Sequence, residues 1–181
     1  MRVGIADHFG WAIAVTITDR QAVVDRRRLA LVEPGVCEAP IHYESKRLSQ
    51  TETAALVGAV RASIGRAASA AFDELAGAVS TPITSIALRE WPPGFPADIA
   101  TQRRVPYESR ADAIMYRQVL AEVARARGWR VHLYNAKDVV GQAAALLGDG
   151  AGDVLEGQRN RLGAPWTKDH QVAFAAAITS L

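Results

Sequence analysis

The residues in this chain best suited to chemistry are carboxylates at the ends of ordered segments. Asp7 closes the apolar run "RVGIAD", Glu90 follows "SIALR", and Asp169 stands near the start of the alanine-rich "WTKDHQVAFAAAITSL". Three carboxylates gathered in one place would repel one another. A divalent cation such as Mg²⁺ or Mn²⁺ removes that conflict, because it takes oxygen ligands and keeps several waters. Two such ions about 4 Å apart stabilise the attacking and leaving oxygens of a phosphodiester displacement. Glu52, in "TETAALV", is a fourth candidate ligand. Each acid also has a purely structural role open to it. Asp7 could cap the turn to Trp11, and Glu90 could pair with Arg89 or another arginine. Asp169 is favourable at a helix start through the dipole alone, and Glu52 completes a capping box with Ser49.

The elements that must position these acids follow from periodicity. "RVGIAD" reads as a buried strand. In "WAIAVTITD", Trp11, Ile13, Val15 and Ile17 alternate with small or hydroxyl residues, a second strand with one face in the core. "AVVDRRRLALV" continues as a third, and the short links make an antiparallel meander. "SQTETAALVGAVRASIGRAASAAFDELAG" is helical; its Gly58 and Gly65 would let it lie close to a sheet. "PITSIALREW" is a strand stopped by "WPPG", and "FPADIATQRRVPYE" reads as a long loop. "SRADAIMYRQVLAEVARARG" is a helix with Met115, Val119 and Val123 on one face. "WRVHLYN" is a strand, "AKDVVGQAAALLG" a helix and "DGAGDVLEGQRNRLGAP" a flexible Gly-rich segment. The last helix runs from about Trp166 to the end. The order βββ-α-β-α-β-α-α implies an α/β domain: a five-stranded mixed sheet flanked by helices, with the first strand central. Acids at the C-terminal ends of parallel neighbouring strands would lie where open α/β sheets present ligand sites.

Composition excludes several classes. The 181 residues suit a single domain spanning residues 1–181 with a proper core. With 49% hydrophobic and 22% charged residues, wholesale disorder is excluded. A formal charge of +2 permits nucleic-acid contact without demanding it. The single cysteine, Cys37, rules out an intramolecular disulfide and a cysteine-rich zinc site. His8, His42, His132 and His170 lack HxxxH spacing. No signal-peptide-like start and no long apolar span are present, so a cytoplasmic protein with no membrane contact is expected. The arginines in "RRR" (Arg26 to Arg28) read most simply as a solvated surface.

Taken together, "VGIADHFGWAIAVTI", "SIALRE", "RVHLYNAKDVV" and "KDHQVAFAAAI" resemble, in order, the first acid-bearing strand and its return, the second acid-bearing strand, the following strand and the closing helix of the RNase H-like superfamily. The likeness is to the RuvC-type Holliday junction resolvases in particular. It implies an RNase H-like fold, with Asp7, Glu90 and Asp169 as catalytic metal ligands for Mg²⁺ or Mn²⁺. It also implies structured DNA, ahead of RNA, as the nucleic-acid partner and a homodimer as the assembly. Glu52 resembles the glutamate that the RNase H branch carries on its first helix. Two departures stand out. His8-Phe9 replaces the Pro-Gly that commonly follows the first acid, and Val172 stands where the resolvases carry a further acid.

Two functions follow. In the first, the protein is a divalent-metal-dependent nuclease in which Arg103, Arg104, Arg159 and Arg161 contact phosphates from irregular loops. In the second, it is a catalytically inactive RNase H-like domain that binds nucleic acid or a protein partner. An actin-like ATPase is set aside, because "ADHFGWA" lacks the phosphate-loop glycine spacing and hydroxyl.

Overall fold

The computed structural model describes Met1–Ser180. Five strands form one sheet: β1 (Arg2–Asp7), β2 (Trp11–Ile17), β3 (Val23–Ala30), β4 (Ser85–Arg89) and β5 (Arg130–Tyr134), in the spatial order β3-β2-β1-β4-β5. β1 is central. It pairs antiparallel with β2, Asp7 opposite Ala12, and parallel with β4, Gly4 opposite Ala87; β4 pairs parallel with β5. This is the mixed sheet expected from the sequence.

Side-chain alternation divides β1 between two cores. Val3 and Ile5 pack with α1 (Gln50–Gly77) and α3 (Glu108–Ala126), whose Ile64, Phe72, Met115, Tyr116 and Val119 fill one cluster. Ala6 packs on the other face against α4 (Val139–Leu147) and α7 (Lys168–Thr179). The strand is fully buried on both faces, which is why its sequence is a continuous apolar run.

α7 lies antiparallel along β1 and is fixed at three points. A Cβ on Gly4 would stand 1.8 Å from the Ala173 carbonyl oxygen, so only glycine admits this approach. Arg2 donates to the Ile178 carbonyl at 3.1 Å, a cation at the helix C-terminus. At the other end His8 Nε2 meets Asp169 Oδ1 at 3.2 Å. Gly58 and Gly65 do not serve the close approach expected of them, because a Cβ on either would meet nothing within 4 Å.

The connections carry more helix than the sequence suggested. The 92–107 loop contains the short α2 (Ile99–Gln102), capped by Asp98, whose carboxylate accepts from Thr101 N at 2.8 Å. The Gly-rich segment before α7 folds into α5 (Ala151–Leu155) and α6 (Gln158–Leu162). No described helix is long and apolar enough to cross a membrane.

The "RRR" stretch is not a free solvated surface. Arg26 donates to the carbonyls of Leu162 (2.6 Å), Gly163 (2.9 Å) and Pro165 (2.8 Å), clamping the segment between α6 and α7. Arg27 forms a two-point pair with Asp25. Arg28 lies over the Trp11 ring, 4.6 Å from its centroid.

Candidate functional site

Asp7 is the last residue of β1 and shares the parity of Val3 and Ile5, so its side chain turns toward α3. Arg117 on α3 meets it there, donating from Nε to Asp7 Oδ2 at 2.8 Å and from Nη1 to the Glu90 carbonyl at 3.2 Å. The Asp7 side chain is 2% exposed and that of Arg117 12%. A charge pair this dry is costly to break from one side, because the ion left behind would be buried without a partner. Asp7 Oδ1 is buried and unpartnered. Asp7 does not cap the turn to Trp11; that turn closes through His8 N donating to the Trp11 carbonyl at 2.9 Å.

Glu90 follows β4 at an exposed position. Its carboxylate accepts from Asn135 Nδ2 at 2.6 Å instead of pairing with Arg89. Asp169 lies in the first turn of α7 and faces His8. The His8 ring is fixed from a second direction by stacking on Trp11, with centroids 4.1 Å apart and planes at 11°. His170 turns the other way: its Nδ1 accepts from Thr167 N at 3.2 Å, closing the capping box of α7. Burial, reinforced by the nearby Arg26 charge, lowers the His170 pKa and favours the neutral imidazole this bond requires.

Glu52 forms the reciprocal capping box at the start of α1, accepting from Ser49 N at 2.8 Å, and its side chain is exposed. These bonds hold its carboxyl below the usual range. It lines neither of the clefts around Asp7 and Glu90.

Arg117 is thus the hub of the site. It borders a small cleft of ≈ 210 Å³, lined also by Asp7, His8, Phe9, Arg89 and Ala113. It also borders an open cleft of ≈ 560 Å³ that includes Glu90, Trp91, Ser109 and Arg110. Neither Arg117 nor Asn135 was among the expected site residues. The available signal was an arginine on the buried side of its helix: Ile114, Leu120 and Ala121, three and four positions away, are all core. A guanidinium held there calls for a carboxylate partner.

The four expected phosphate contacts divide. Arg103 is spent inside the protein, donating to the carbonyls of Ser45 and, at 2.6 Å, Leu48. Arg104, Arg159 and Arg161 are exposed. Of the loop aromatics, Phe95 and Tyr107 pack edge to face at 5.7 Å and pin the loop.

The donor set as it stands does not fit a divalent cation. Among the described residues no three His, Cys, Asp or Glu side chains are grouped to hold a metal ion. The charge of Asp7 is met by a guanidinium, one oxygen of Glu90 by an amide, and Asp169 by an imidazole.

The chain matches no family model and no curated protein. Among solved structures it is similar to Thermus thermophilus RuvC in complex with a Holliday junction substrate. That match has a TM-score of 0.54 and 14% identity, and covers 98% of this chain and 89% of that one. The fold is RuvC-like. A second structure of Thermus thermophilus RuvC aligns at a TM-score of 0.46 and 15% identity, over 98% and 90% of the two chains. The likeness extends over nearly the whole chain, so it covers the central strand and the closing helix packed along it. At this identity the likeness speaks for the fold and leaves the chemistry to the side chains described above.

Proposed function

We propose that this chain is a RuvC-like domain that binds structured DNA without metal-dependent cleavage. The observation carrying this reading is the Asp7–Arg117 pair: the acid that a metal site on this fold would need already holds a cation. The fold is shared with a protein solved on a Holliday junction, which makes branched DNA the first partner to test. Exposed Arg104, Arg159 and Arg161 supply phosphate contacts whose strength falls with salt.

A second reading is a Mg²⁺- or Mn²⁺-dependent nuclease acting on structured DNA or RNA, with Asp7, Glu90 and Asp169 as ligands, Glu52 being held in its capping box, and a homodimer as the working unit. One observation favours it: Asp7 Oδ1 is buried without a partner, and an orphaned carboxylate oxygen is what a ligand or ion would satisfy.

Fluorescence anisotropy on four-way-junction and linear duplex DNA, in EDTA and then in Mn²⁺, separates the readings. Junction binding in EDTA, with intact DNA after prolonged incubation in Mn²⁺, supports the first. Mn²⁺-dependent cleavage abolished by Asp7→Asn establishes the second.

A further inference from the structure

The connection between β3 and α1 is held more firmly than a connection needs. Pro40–Glu44 coils into a single wide π-helical turn, and 45–47 continue as turn. Wide turns of this kind are rare and recur at functional sites. Asp112 on α3 is 1% exposed and accepts from Ile41 N at 3.1 Å and from His42 N at 2.8 Å. Ser45 Oγ donates to the Ile41 carbonyl at 2.6 Å, and Arg103 donates to the carbonyls of Ser45 and Leu48. A buried carboxylate and a guanidinium are thus both committed to the backbone of one short segment.

The coil has two faces. Ile41 and Ser45, four positions apart, are buried against the protein. His42, Tyr43, Lys46 and Arg47 are exposed together on the other side, at the same three- and four-residue spacing. The Tyr43 side chain is left 57% exposed, and His42 meets its ring edge to face at 5.1 Å. Phe9 stands 6.2 Å from the His42 ring and also lines the small cleft beside Asp7, so the exposed face begins at that cleft. Among the described residues neither Lys46 nor Arg47 has a carboxylate in ion-pair reach. Aromatic rings and free cations on one fixed face match an unpaired nucleotide strand, whose bases stack on the rings while its phosphates take the cations. A duplex keeps its bases stacked on one another and offers the rings nothing.

We propose that the face formed by His42, Tyr43, Lys46 and Arg47 binds an unpaired DNA segment beside the Asp7 cleft, with Tyr43 stacking on a base and Lys46 and Arg47 holding phosphates. The inference rests on the DNA-binding reading and names the strand taken at this place: single-stranded DNA next to a branch. It requires no metal ion.

The test is fluorescence anisotropy in EDTA with labelled oligothymidylate, an abasic oligonucleotide of the same length, and four-way-junction DNA. The wild type should bind oligothymidylate more tightly than the abasic strand. Tyr43→Ala should weaken oligothymidylate binding about fivefold or more and remove that difference, while Tyr43→Phe, which keeps the ring, should retain it. Lys46→Gln and Arg47→Gln should weaken both strands alike, each lowering the salt slope by about 0.7. Wild-type protein that binds the abasic strand equally well, or Tyr43→Ala that binds oligothymidylate as the wild type does, would overturn the proposal. Junction binding that persists in that case leaves the DNA-binding reading standing. Oligothymidylate bound as expected, with no binding of the junction, would overturn the junction reading and keep this face. Binding of neither would overturn both.

Discussion

Arg117 on α3 and Asp7 at the end of β1 form a buried ion pair at 2.8 Å, their side chains 12% and 2% exposed, in a protein whose fold is RuvC-like. The pair joins the central strand to the helix packed over it and carries the bond onward to the Glu90 carbonyl. The acid at this strand end is thereby tied into the protein's own framework.

Breaking the pair from one side should cost more than removing it whole. Arg117→Met leaves Asp7 buried without its cation and should destabilise by about 3–5 kcal/mol. Asp7→Asn alone should also destabilise, while the double variant Asp7→Asn with Arg117→Met should recover part of the loss. Urea denaturation of all four proteins gives the coupling directly. Simple additivity would mean that the two side chains do not depend on each other.

Two glycine substitutions should act in opposite directions. Gly4→Ala drives a methyl into the Ala173 carbonyl, 1.8 Å from the added carbon, and must push α7 off the sheet. A loss of about 3 kcal/mol or more is expected, beyond ordinary overpacking because the obstacle is backbone. Gly58→Ala meets nothing within 4 Å in the middle of α1 and should stabilise by up to about 1 kcal/mol. Thermal melts of the two variants provide the check.

The contrast between these glycines shows what the sequence can disclose. The continuous apolar run of β1, the alternation in β2 and the apolar stripe of α3 are one-dimensional patterns, and the mixed sheet with β1 central followed from the order of the elements they mark. The close approach of α7 to Gly4 depends on which helix crosses which strand, and no local pattern marks it. The same holds for the site. Asp7, Glu90 and Asp169 stand at the element ends where their spacing placed them. Yet one residue of strand parity sends Asp7 toward α3, while α7 with Asp169 packs on the opposite face. Arg26 to Arg28 read as surface because their acceptors, the carbonyls of 162–165 and the Trp11 ring, lie far away in the chain or across a strand.

Stability should depend on pH through His170. Its folded pKa is lowered, first by burial and then by Arg26, whereas the unfolded chain protonates it near its ordinary value of about 6.5. Between those values the unfolded state binds more protons, so stability rises with pH. The contribution is complete above about pH 6.5 and is lost as pH falls through the folded value, with the Thr167 cap of α7. His170→Gln, which retains a capping-box side chain, should flatten this slope in denaturation curves from pH 5 to 8.

Arg26 should control the order of the segment that delivers α7. Its bonds to the carbonyls of Leu162, Gly163, Pro165 and, at 3.5 Å, Ala164 satisfy the C-terminal end of α6 and the turn that follows. Arg26→Ala should speed amide exchange across residues 158–165 by at least about tenfold, while β1 and β4 stay protected. Arg26→Lys should restore little, because a point ammonium cannot span these acceptors as a planar fork does.

The most direct test of the central claim is a calorimetric titration of Mn²⁺ into the wild-type protein and Asp7→Asn, each then mixed with four-way-junction DNA. With Arg117 holding Asp7, the expected result is no saturable Mn²⁺ heat in either protein and junction DNA bound but uncut. Stoichiometric Mn²⁺ binding by the wild type, with cleavage, both lost in Asp7→Asn, would contradict the account and establish a metal nuclease.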